Sequence, residues 1–355
     1  MDQDTLRIYL RVKRELILAL GYVPLATVSL ERREKLTSIR YNIQSKYSDS
    51  SVIEIFDPRS NKIKGHYFHE RNEYHVQDVI LEPKQGLIYS NDGELIEEST
   101  NWPTSYLYNS FPWNPKKYIK RLRMESAIFL PSSAFGHWLM EDLPLFISVL
   151  ESNLDSTVLV SRNPPKFVSD LLHTLDREIV YLDGPVRVDS LVFIQKNQDS
   201  GWPHPRDLEI LNHFAPFEAV KSKGAQSKNI YASRRGSKRS PMNEIEIENL
   251  FKGHGFEVHQ MEKLNLFDEI RLMSETLRLA GVHGSGLSNI IWMPPGGTML
   301  DIVNNNYWTE AGHRLAFLKL SKYEFLTYQG TLQGEVNIGA LETKLKNVLN
   351  GNLDF

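Results

Sequence analysis

The chain has 355 residues, of which 41% are hydrophobic and 24% charged, so it is long and apolar enough to fold into two globular domains. A formal net charge of -3 and a sequence pI near 6.4 argue against a protein that binds nucleic acid through an overall positive field. Because the chain has no cysteine, disulfides, thiolate nucleophiles and cysteine-ligated zinc are excluded, as fits a reducing, cytoplasmic setting.

The amino end, residues 4–20, places apolar side chains at helical spacing but interrupts them with Arg7, Arg11, Lys13 and Arg14. These charges argue against a membrane-spanning helix and a signal peptide, and they predict a basic amphipathic helix. Such a helix either packs on its own domain, which we favour, or makes a peripheral contact with an anionic membrane surface.

Short strand-like runs separated by turns fill residues 50–130, which predicts a β-rich amino-terminal segment. The turn Asn91-Asp92-Gly93 between two such runs is a strong hairpin signal. From residue 126 strands alternate with helices, as in a parallel sheet covered by helices. The predicted strands of this first block are 127–130, 157–160, 179–182 and 191–194, and its predicted helices are 136–150 and 167–175.

A second alternating block follows a polar connection at residues 221–228. Its predicted strands are 230–232, 257–259, 277–282 and 298–303, its predicted helices are 243–254 and 267–274, and a closing helix is predicted at 339–355. We therefore expect an α/β protein in which two Rossmann-like domains face a central cleft at the carboxyl ends of their strands. The expected domains are 1–120 (a β-rich segment joined to the first domain), 121–225, 226–340 and the closing 341–355.

The most informative segment is Gly281-Val282-His283-Gly284-Ser285-Gly286-Leu287-Ser288-Asn289. Apolar residues before it predict a buried strand and those after it predict a helix, so the glycines lie at a tight strand-to-helix turn. Glycine lets the backbone turn sharply and approach a ligand, and the first amides of a helix favour an anion such as a phosphate. The alternative is that these glycines only let the strand pack closely on the helix.

This segment, its continuation Trp292-Met293-Pro294-Pro295-Gly296-Gly297 and the strand ending in Met299-Leu300-Asp301 resemble the carboxyl-terminal signature of the family 61 glycosyltransferases. The segments FGHWLMEDLP (135–144), IYASRR (230–235) with Asn243-Glu244, and GFEV (255–258) are similar to further segments of that family in the same order. The resemblance covers residues 125–305. It implies a GT-B fold, in which 121–225 bind the acceptor and 226–340 bind a nucleotide sugar, and transfer with inversion.

Sugar transfer requires a base for the acceptor hydroxyl, and Glu141 is the predicted base. His137 and Glu141 stand four residues apart on a predicted helix, so they share a face, and His137 is expected to orient Glu141 or to bind the acceptor. Burial beside Trp138 is expected to raise the pKa of Glu141 towards neutrality. Asp142 points about 100° away and suits a structural ion pair. The alternative for His137 is a structural role at the helix start.

The departing diphosphate requires positive charge, which the first amides of the helix after Gly284 and the cations after strand 230–232 would supply. Arg234 and Arg235 are the preferred pair, although a basic loop is more often only solvated. His283 is expected to donate to a phosphate or the leaving oxygen unless it merely fills space, and Asp301 to accept from a ribose hydroxyl or cap a loop. The predicted nucleotide-binding residues are Ser233, Arg234, Arg235, Arg239, His283, Gly284, Ser285, Gly286, Leu287, Asn289 and Asp301.

The acceptor side is assigned to Trp138, Asp142, Trp202 and His204, although the Gly201-Trp202-Pro203-His204-Pro205 turn is more often structural. No metal or other cofactor is expected. Glu244, Glu246 and Glu248 diverge along a helix and are interpreted as a solvated face, and the chain has no His-Glu-x-x-His pattern.

These features predict an inverting, metal-independent glycosyltransferase that moves a sugar from a uridine-linked nucleotide sugar to a glycan or lipid-linked glycan. The expected setting is bacterial and cytoplasmic, in the synthesis of a capsule, O-chain or lipooligosaccharide. A dinucleotide-dependent oxidoreductase is disfavoured because the sixth position of the frame from Gly284 is Asn289 instead of glycine. A non-catalytic nucleotide-sugar or glycan-binding protein and a sugar-phosphate transferase remain open.

Overall fold

The computed structural model describes residues 71–101, 120–196, 201, 203–222, 224, 227–307, 309–330 and 333–351, together with the backbone of four strands before residue 69. The predicted amino-terminal helix at 4–20 and Trp202 lie outside the described residues. The described part is a mixed α/β structure with one ten-stranded, one five-stranded and one two-stranded sheet.

The first half of the chain supplies twelve strands in its described part. They are β1 (Thr27–Val28), β2 (Arg40–Tyr47), β3 (Ser51–Asp57), β4 (Lys62–Phe68), β5 (Arg71–Glu82), β6 (Leu87–Tyr89), β7 (Leu95–Ile96), β8 (Lys120–Leu122), β9 (Ala127–Leu130), β10 (Thr157–Ser161), β11 (Ile179–Leu182) and β12 (Val186–Ile194). Strands β3 and β4 form the two-stranded sheet, and the others form the large sheet in the order β1-β7-β6-β5-β12-β9-β10-β11, with β2 beside β5 and β8 beside β12.

The four strands predicted for the first block pair in parallel in the order β12-β9-β10-β11, as expected, but the large sheet to which they belong is mixed. Strand β9 pairs in parallel with β10 and β12, but β12 pairs antiparallel with β5 along most of its length. The β-rich amino-terminal segment therefore extends the sheet of the first block. The predicted hairpin is confirmed, since β6 and β7 pair antiparallel through Tyr89 and Leu95 and the Gly93 amide closes the turn on the Ser90 carbonyl at 2.9 Å.

The second half forms a five-stranded sheet that is parallel throughout. Its strands are β13 (Lys228–Ala232), β14 (Glu257–His259), β15 (Thr276–Val282), β16 (Thr298–Asn304) and β17 (Lys322–Tyr328), in the order β14-β13-β15-β16-β17. The first four were predicted and are confirmed, whereas β17 was not. The strand order changes direction between β13 and β15, and in parallel α/β sheets ligands bind outside the carboxyl ends of the strands at such a point.

The α-helices are α1 (Phe135–His137), α2 (Leu143–Ser152), α3 (Lys166–Leu172), α4 (Pro205–His213), α5 (Ala215–Glu218), α6 (Glu244–Gly253), α7 (Leu266–Ser274), α8 (Ala311–Leu318) and α9 (Ile338–Asn350). Short 3₁₀ helices span Glu97–Ser99, Met261–Lys263 and Ser285–Trp292, and a π-helical turn spans Trp138–Asp142. The predicted helix 136–150 is therefore interrupted by a π turn, and α4, α5 and α8 were not predicted. None of the helices in the described ranges has the length and apolar content that crossing a membrane requires.

One apolar core lies between the large and the five-stranded sheets and joins the two halves of the chain. It includes Leu139 and Phe146 from the helical segment after β9, and Ile290 and Leu315 from helices of the second half, all at most 4% exposed. Two smaller cores cover the far sides of the sheets. The helices after β9 and β15 are therefore held directly against each other, which fixes the geometry of the site described next.

Candidate active site

A tight turn joins β15 to the 3₁₀ helix Ser285–Trp292, with Gly284 at its corner. Gly284 has a φ of +155°, which side chains rarely adopt. The Leu287 amide bonds to the Gly284 carbonyl at 3.0 Å, so the predicted strand-glycine-helix arrangement is confirmed, although the helix is 3₁₀. The amides of Ser285 and Gly286, which come first in this helix, have no acceptor within the helix. We call residues 283–287 the elbow.

Two arginines converge on the elbow. Arg234 Nη1 donates to the His283 carbonyl at 2.8 Å. A Cβ added to Gly284 would overlap the Arg234 guanidinium and lie 3.4 Å from Arg239 Nη2. Burial lowers the pKa of Arg234, and the nearby charge of Arg239 lowers it further. Like charges that meet at a backbone turn create a position that favours an anion.

The converging pair is Arg234 with Arg239, not Arg234 with Arg235 as the sequence suggested. Arg239 lies over the ring of Tyr307, with its Cζ 4.4 Å from the ring centre. Arg235 instead turns to Glu248, whose carboxylate is 3.4 Å from Arg235 Nε. Local sequence gave no sign of this choice, because Tyr307 and the elbow are both distant from the arginines along the chain.

Buried acids hold the end of the strand that leads to these arginines. Glu244, Glu246 and Glu248 were expected to form a solvated face, and this expectation is wrong for Glu244 and Glu248. Glu244 is 3% exposed and accepts from the Tyr231 hydroxyl and the Arg234 amide. Glu248 is 2% exposed and accepts from Ser233 Oγ at 2.6 Å. These bonds fix the direction in which the chain leaves β13.

A histidine–carboxylate pair from the other half of the chain lies against the elbow helix. Gly136 packs closely on this helix, because an added Cβ would be 3.1 Å from Ser288 Oγ. The next residue, His137, has Nδ1 2.9 Å from Glu141 Oε1, so the predicted shared face is confirmed across the π turn. The side chain of His137 is 39% exposed, whereas that of Glu141 is 7% exposed. The histidine therefore presents the pair to solvent, and the carboxylate lies behind it.

Glu141 is tied by three donors. Its Oε1 also accepts from the Gly201 amide at 2.6 Å, and its Oε2 accepts from the side-chain amide of Asn101. Burial raises the pKa of Glu141, but the hydrogen bonds from His137, Asn101 and Gly201 outweigh burial and bring that pKa below its usual value. The sequence expectation of a raised pKa is wrong, since it counted burial and missed the donors. The bond to Glu141 in turn raises the pKa of His137.

His283 and Asp301 form a second buried pair. His283 Nδ1 lies 2.8 Å from Asp301 Oδ2, and its Nε2 lies 3.0 Å from the Thr309 hydroxyl. Asp301 also accepts from the Tyr323 hydroxyl at 3.0 Å. The carboxylate is fully buried, and both ring nitrogens of His283 already face protein groups. His283 is thus oriented by the second half of the chain.

Two cavities flank the elbow. The cleft, of about 390 Å³, is bordered by both halves of the chain, including His137, Gly201, Arg239, His283, Gly284, Asp301, Thr309 and Arg314. The side cavity, of about 510 Å³, is bordered by the second half, including Ser233, Arg234, Arg235, Gln260, Glu262 and Gly286. Ser285 and Leu287 border both. The side cavity lies at the carboxyl ends of β13 and β15, where the strand order changes direction.

Residues 135–300, from α1 to β16, match the model of the family Glycosyltransferase 61. Residues 135–300 are therefore a glycosyltransferase family 61 domain. The chain is accordingly an enzyme that transfers a sugar. The matched range includes His137, Glu141, both converging arginines and the elbow. A search of curated proteins finds no match for the chain.

Several predicted site residues of the transferase border neither cavity. Trp138 is fully buried and packs on Phe167, with ring centres 4.7 Å apart. Asp142 bonds to Lys196 at 2.7 Å and to Ser133 at 2.5 Å, which is the ion pair expected as its alternative. His204 is 2% exposed and caps α4 by accepting from the Arg206 amide. The positions of Trp138, Asp142 and His204 thus do not support their assignment to the acceptor side. Trp138 packs in the core, Asp142 forms an ion pair and His204 caps α4.

Asn289 also lies away from both cavities, although it was expected near the nucleotide. It is fully buried and donates to the Gly286 carbonyl at 3.2 Å, so it supports the elbow from behind. Ser233 borders the side cavity, but its hydroxyl is taken by Glu248.

Sequence reasoning missed Arg314 and the role of Gly201. Arg314 Nη1 donates to the Gly201 carbonyl at 3.3 Å, while the Gly201 amide donates to Glu141. Gly201 has a φ of +79°, which favours glycine at this junction between α8 and Glu141. The turn that contains Gly201 was singled out for its aromatic and histidine side chains, and only its Gly-x-Pro composition hinted at a backbone role.

We expect a buried acid beneath the elbow to make the stability of the transferase depend on pH. Glu269 on α7 is 6% exposed and bonds to Asn289, and burial raises its pKa to about 8. A group whose pKa is higher in the folded state than in the unfolded state contributes its full stability below the unfolded-state pKa. That contribution is lost as the pH rises through the folded-state pKa. We therefore expect the free energy of unfolding of the wild type to fall, relative to Glu269→Gln, between about pH 5 and pH 8. Urea denaturation at both pH values measures this, and parallel pH dependence in the two proteins would contradict it.

Proposed function

We propose that the transferase is a GT-B enzyme that transfers a sugar from a uridine diphosphate sugar to a hydroxyl of a glycan, with inversion. Its domains would be 121–225 with the amino-terminal segment 1–120, then 226–340, with 341–355 as a closing helix. The two sheets, and the cleft bordered by residues of both halves, support this division. The convergence of Arg234 and Arg239 on the elbow is the observation that carries the proposal.

The donor would lie across the elbow. Its diphosphate would accept from the Ser285 and Gly286 amides and pair with Arg234 and Arg239, since a guanidinium holds phosphate oxygens well. The nucleoside would fill the side cavity, at the switch in strand order. The sugar would then enter the cleft, where His137 lies. As the bond between the anomeric carbon and the diphosphate breaks, negative charge would develop on the phosphate oxygens, where the two arginines would stabilise it.

His137 is the proposed base, with Glu141 as the residue that positions it. This reverses the roles expected from sequence, because His137 borders the cleft and Glu141 is buried behind it with its oxygens engaged. Glu141 holds Nδ1, so Nε2 would take the proton as the acceptor oxygen attacks the anomeric carbon. Attack opposite the leaving diphosphate gives inversion. The acceptor would be a surface glycan or lipid-linked glycan made in the cytoplasm or at the inner membrane.

Binding and hydrolysis of nucleotide sugars test the proposal. Purified protein would be titrated calorimetrically with UDP, GDP, CMP and NAD, and then incubated with UDP-glucose, UDP-galactose, UDP-N-acetylglucosamine and UDP-xylose. We expect UDP to bind and one UDP-sugar to be hydrolysed slowly without acceptor. A response only to NAD would favour an oxidoreductase, a response only to CMP a different transferase, and binding without turnover a non-catalytic protein.

Metal independence is part of the proposal. No cluster of three or more His, Asp or Glu side chains suited to a metal occurs within the described residues. One Asp-x-Asp triplet, Asp2-Gln3-Asp4, lies outside them, so a chelator is the direct test. Turnover should be the same with EDTA as with added magnesium or manganese, and loss of turnover in EDTA would contradict this part.

Replacing Arg239 with alanine should weaken UDP binding about 10-fold or more, because a charge-assisted phosphate contact is lost at a partly buried position. Arg271→Ala is the matched control, since Arg271 is 55% exposed and pairs with Asp268 on the surface of α7. Calorimetry gives both dissociation constants. Equal UDP affinity in the two variants would remove Arg239 from the diphosphate site.

A further inference from the structure

Asp301 is a buried carboxylate at the wall of the cleft, and one of its oxygens is unused. Its Oδ2 accepts from His283 and from the Tyr323 hydroxyl. Its Oδ1 is buried and has no hydrogen-bond partner among the residues that the structure describes. Buried polar atoms of native proteins nearly always have a partner. Asp301 also borders the cleft, so a bound molecule can supply that partner.

The surrounding bonds decide what kind of partner Oδ1 needs. The Thr309 amide donates to His283 Nε2 at 3.3 Å, so Nε2 accepts and the proton of the neutral ring lies on Nδ1, facing Asp301. Asp301 therefore receives two hydrogen bonds on Oδ2 and acts only as an acceptor. A phosphate or carboxylate oxygen has no proton to offer, and a hydroxyl group does.

The position of Asp301 separates the parts of the donor. Asp301 borders the cleft and not the side cavity, and the cleft is where His137 lies. An anionic oxygen would repel a diphosphate, which the arginines at the elbow attract. Gly312 packs closely on the same carboxylate, since an added Cβ there would be 3.3 Å from Asp301 Oδ2. The part of the donor with hydroxyls that fits between the elbow and His137 is the sugar.

We propose that Asp301 Oδ1 accepts a hydrogen bond from a hydroxyl of the transferred sugar and so selects the donor. This inference rests on the proposed function and replaces the ribose contact expected from sequence. The carboxylate is rigid, because turning it would break its bonds to His283 and Tyr323. A site built to bond a buried substrate hydroxyl discriminates strongly against analogues that lack it.

The test compares wild type, Asp301→Asn and Tyr323→Phe. The Tyr323 change is the matched control, because it removes a bond to Oδ2 and leaves Oδ1 unchanged. The probes are UDP, the UDP-sugar of highest affinity, and analogues of that UDP-sugar in which one hydroxyl at a time is replaced by fluorine, which accepts but cannot donate. Dissociation constants are measured calorimetrically without acceptor, and melting temperatures report folding.

For one hydroxyl position, fluorination should weaken binding to wild type and to Tyr323→Phe by about 10-fold or more. In Asp301→Asn the amide can donate to fluorine, so the penalty for that same analogue should shrink to about 3-fold or less. UDP should bind wild type and Tyr323→Phe equally, and it should bind Asp301→Asn no more weakly than wild type. If Asp301→Asn does not fold, the fluorine series on wild type and Tyr323→Phe still decides whether one hydroxyl must donate.

Equal binding of every fluorinated analogue by wild type would overturn the inference, and water would then be the donor to Asp301 Oδ1. The assignment as a transferase would stand. The same holds if the Asp301→Asn penalties match those of wild type, or if discrimination arises only when acceptor is present, since the hydroxyl would then belong to the acceptor. Failure of wild type to bind UDP or any UDP-sugar would instead remove the proposed function itself.

Discussion

Replacing His137 with alanine is expected to lower the turnover number by about 100- to 10,000-fold, the range typical for loss of a general base. The UDP dissociation constant should stay unchanged, because the arginines at the elbow do not depend on His137. Initial rates at saturating donor, together with calorimetry, measure the two quantities separately. A variant that keeps most of its turnover would reject His137 as the base.

Glu141→Gln separates the two possible assignments of the base. Glu141 raises the pKa of His137 through their hydrogen bond, and a base acts in its neutral form, so turnover should rise as pH passes upward through that pKa. Without the charge of Glu141 the pKa of His137 falls, and the rising limb of the pH profile should move to lower pH. The maximum should also fall, because glutamine orients the ring less strongly.

The opposite assignment, with Glu141 as base, gives a different result. Glu141→Gln would then lose as much turnover as removal of any general base, with no shifted limb in what remains. Asp142→Asn is the matched control, because this neighbouring carboxylate is bound to Lys196 and Ser133 instead of His137. Asp142→Asn should shift the rising limb of the pH profile of turnover by much less than Glu141→Gln does.

The reversal of roles shows what helical spacing determines and what it leaves open. Four-residue spacing correctly placed His137 and Glu141 in contact, because that relation depends only on the helix itself. Which of the two faces the cleft depends on Asn101 and Gly201, which are 40 and 60 residues away along the chain. The low pKa of Glu141 comes first from the nearby His137 and then from the distant Asn101 and Gly201. Contacts at such separations have no signature in a single local motif.

The fold shows the same division between local and distant information. The hairpin at Gly93 and the turn at Gly284 were predictable, since each is specified by a few adjacent residues. The antiparallel pairing of β12 with β5 joins segments about a hundred residues apart and was missed. Strand β17 and helix α8 were missed as well. Because Arg314 lies on α8, its role was missed too. Within the site, the elbow was predictable and its surroundings were not.

Gly284 is the residue whose replacement should most selectively remove donor binding. A Cβ at this position would overlap the Arg234 guanidinium, which is the free end of a flexible side chain and can move away. We therefore expect Gly284→Ala to displace Arg234 from the elbow and to weaken UDP binding about 10-fold or more. The folded structure should lose little beyond the strain of the backbone, about 1 to 3 kcal/mol.

Gly296→Ala is the matched control for that strain. Gly296 has a φ of +85°, lies in the same half of the chain, and has nothing within 4 Å of an added Cβ. Both variants should lose stability in urea denaturation through backbone strain, but only Gly284→Ala should bind UDP weakly. Equal UDP affinity in the two variants would mean that the overlap with Arg234 has no bearing on the donor.

A double variant connects the glycine to the arginine. If Gly284→Ala acts by displacing Arg234, then Arg234→Ala alone should weaken UDP binding to a similar extent, and the double variant should be little worse than either. Additive losses would instead indicate that the methyl group blocks the Ser285 and Gly286 amides directly. In both cases the glycine at this turn is required because charged groups approach the backbone, and in the first case the closest of them is the protein's own arginine.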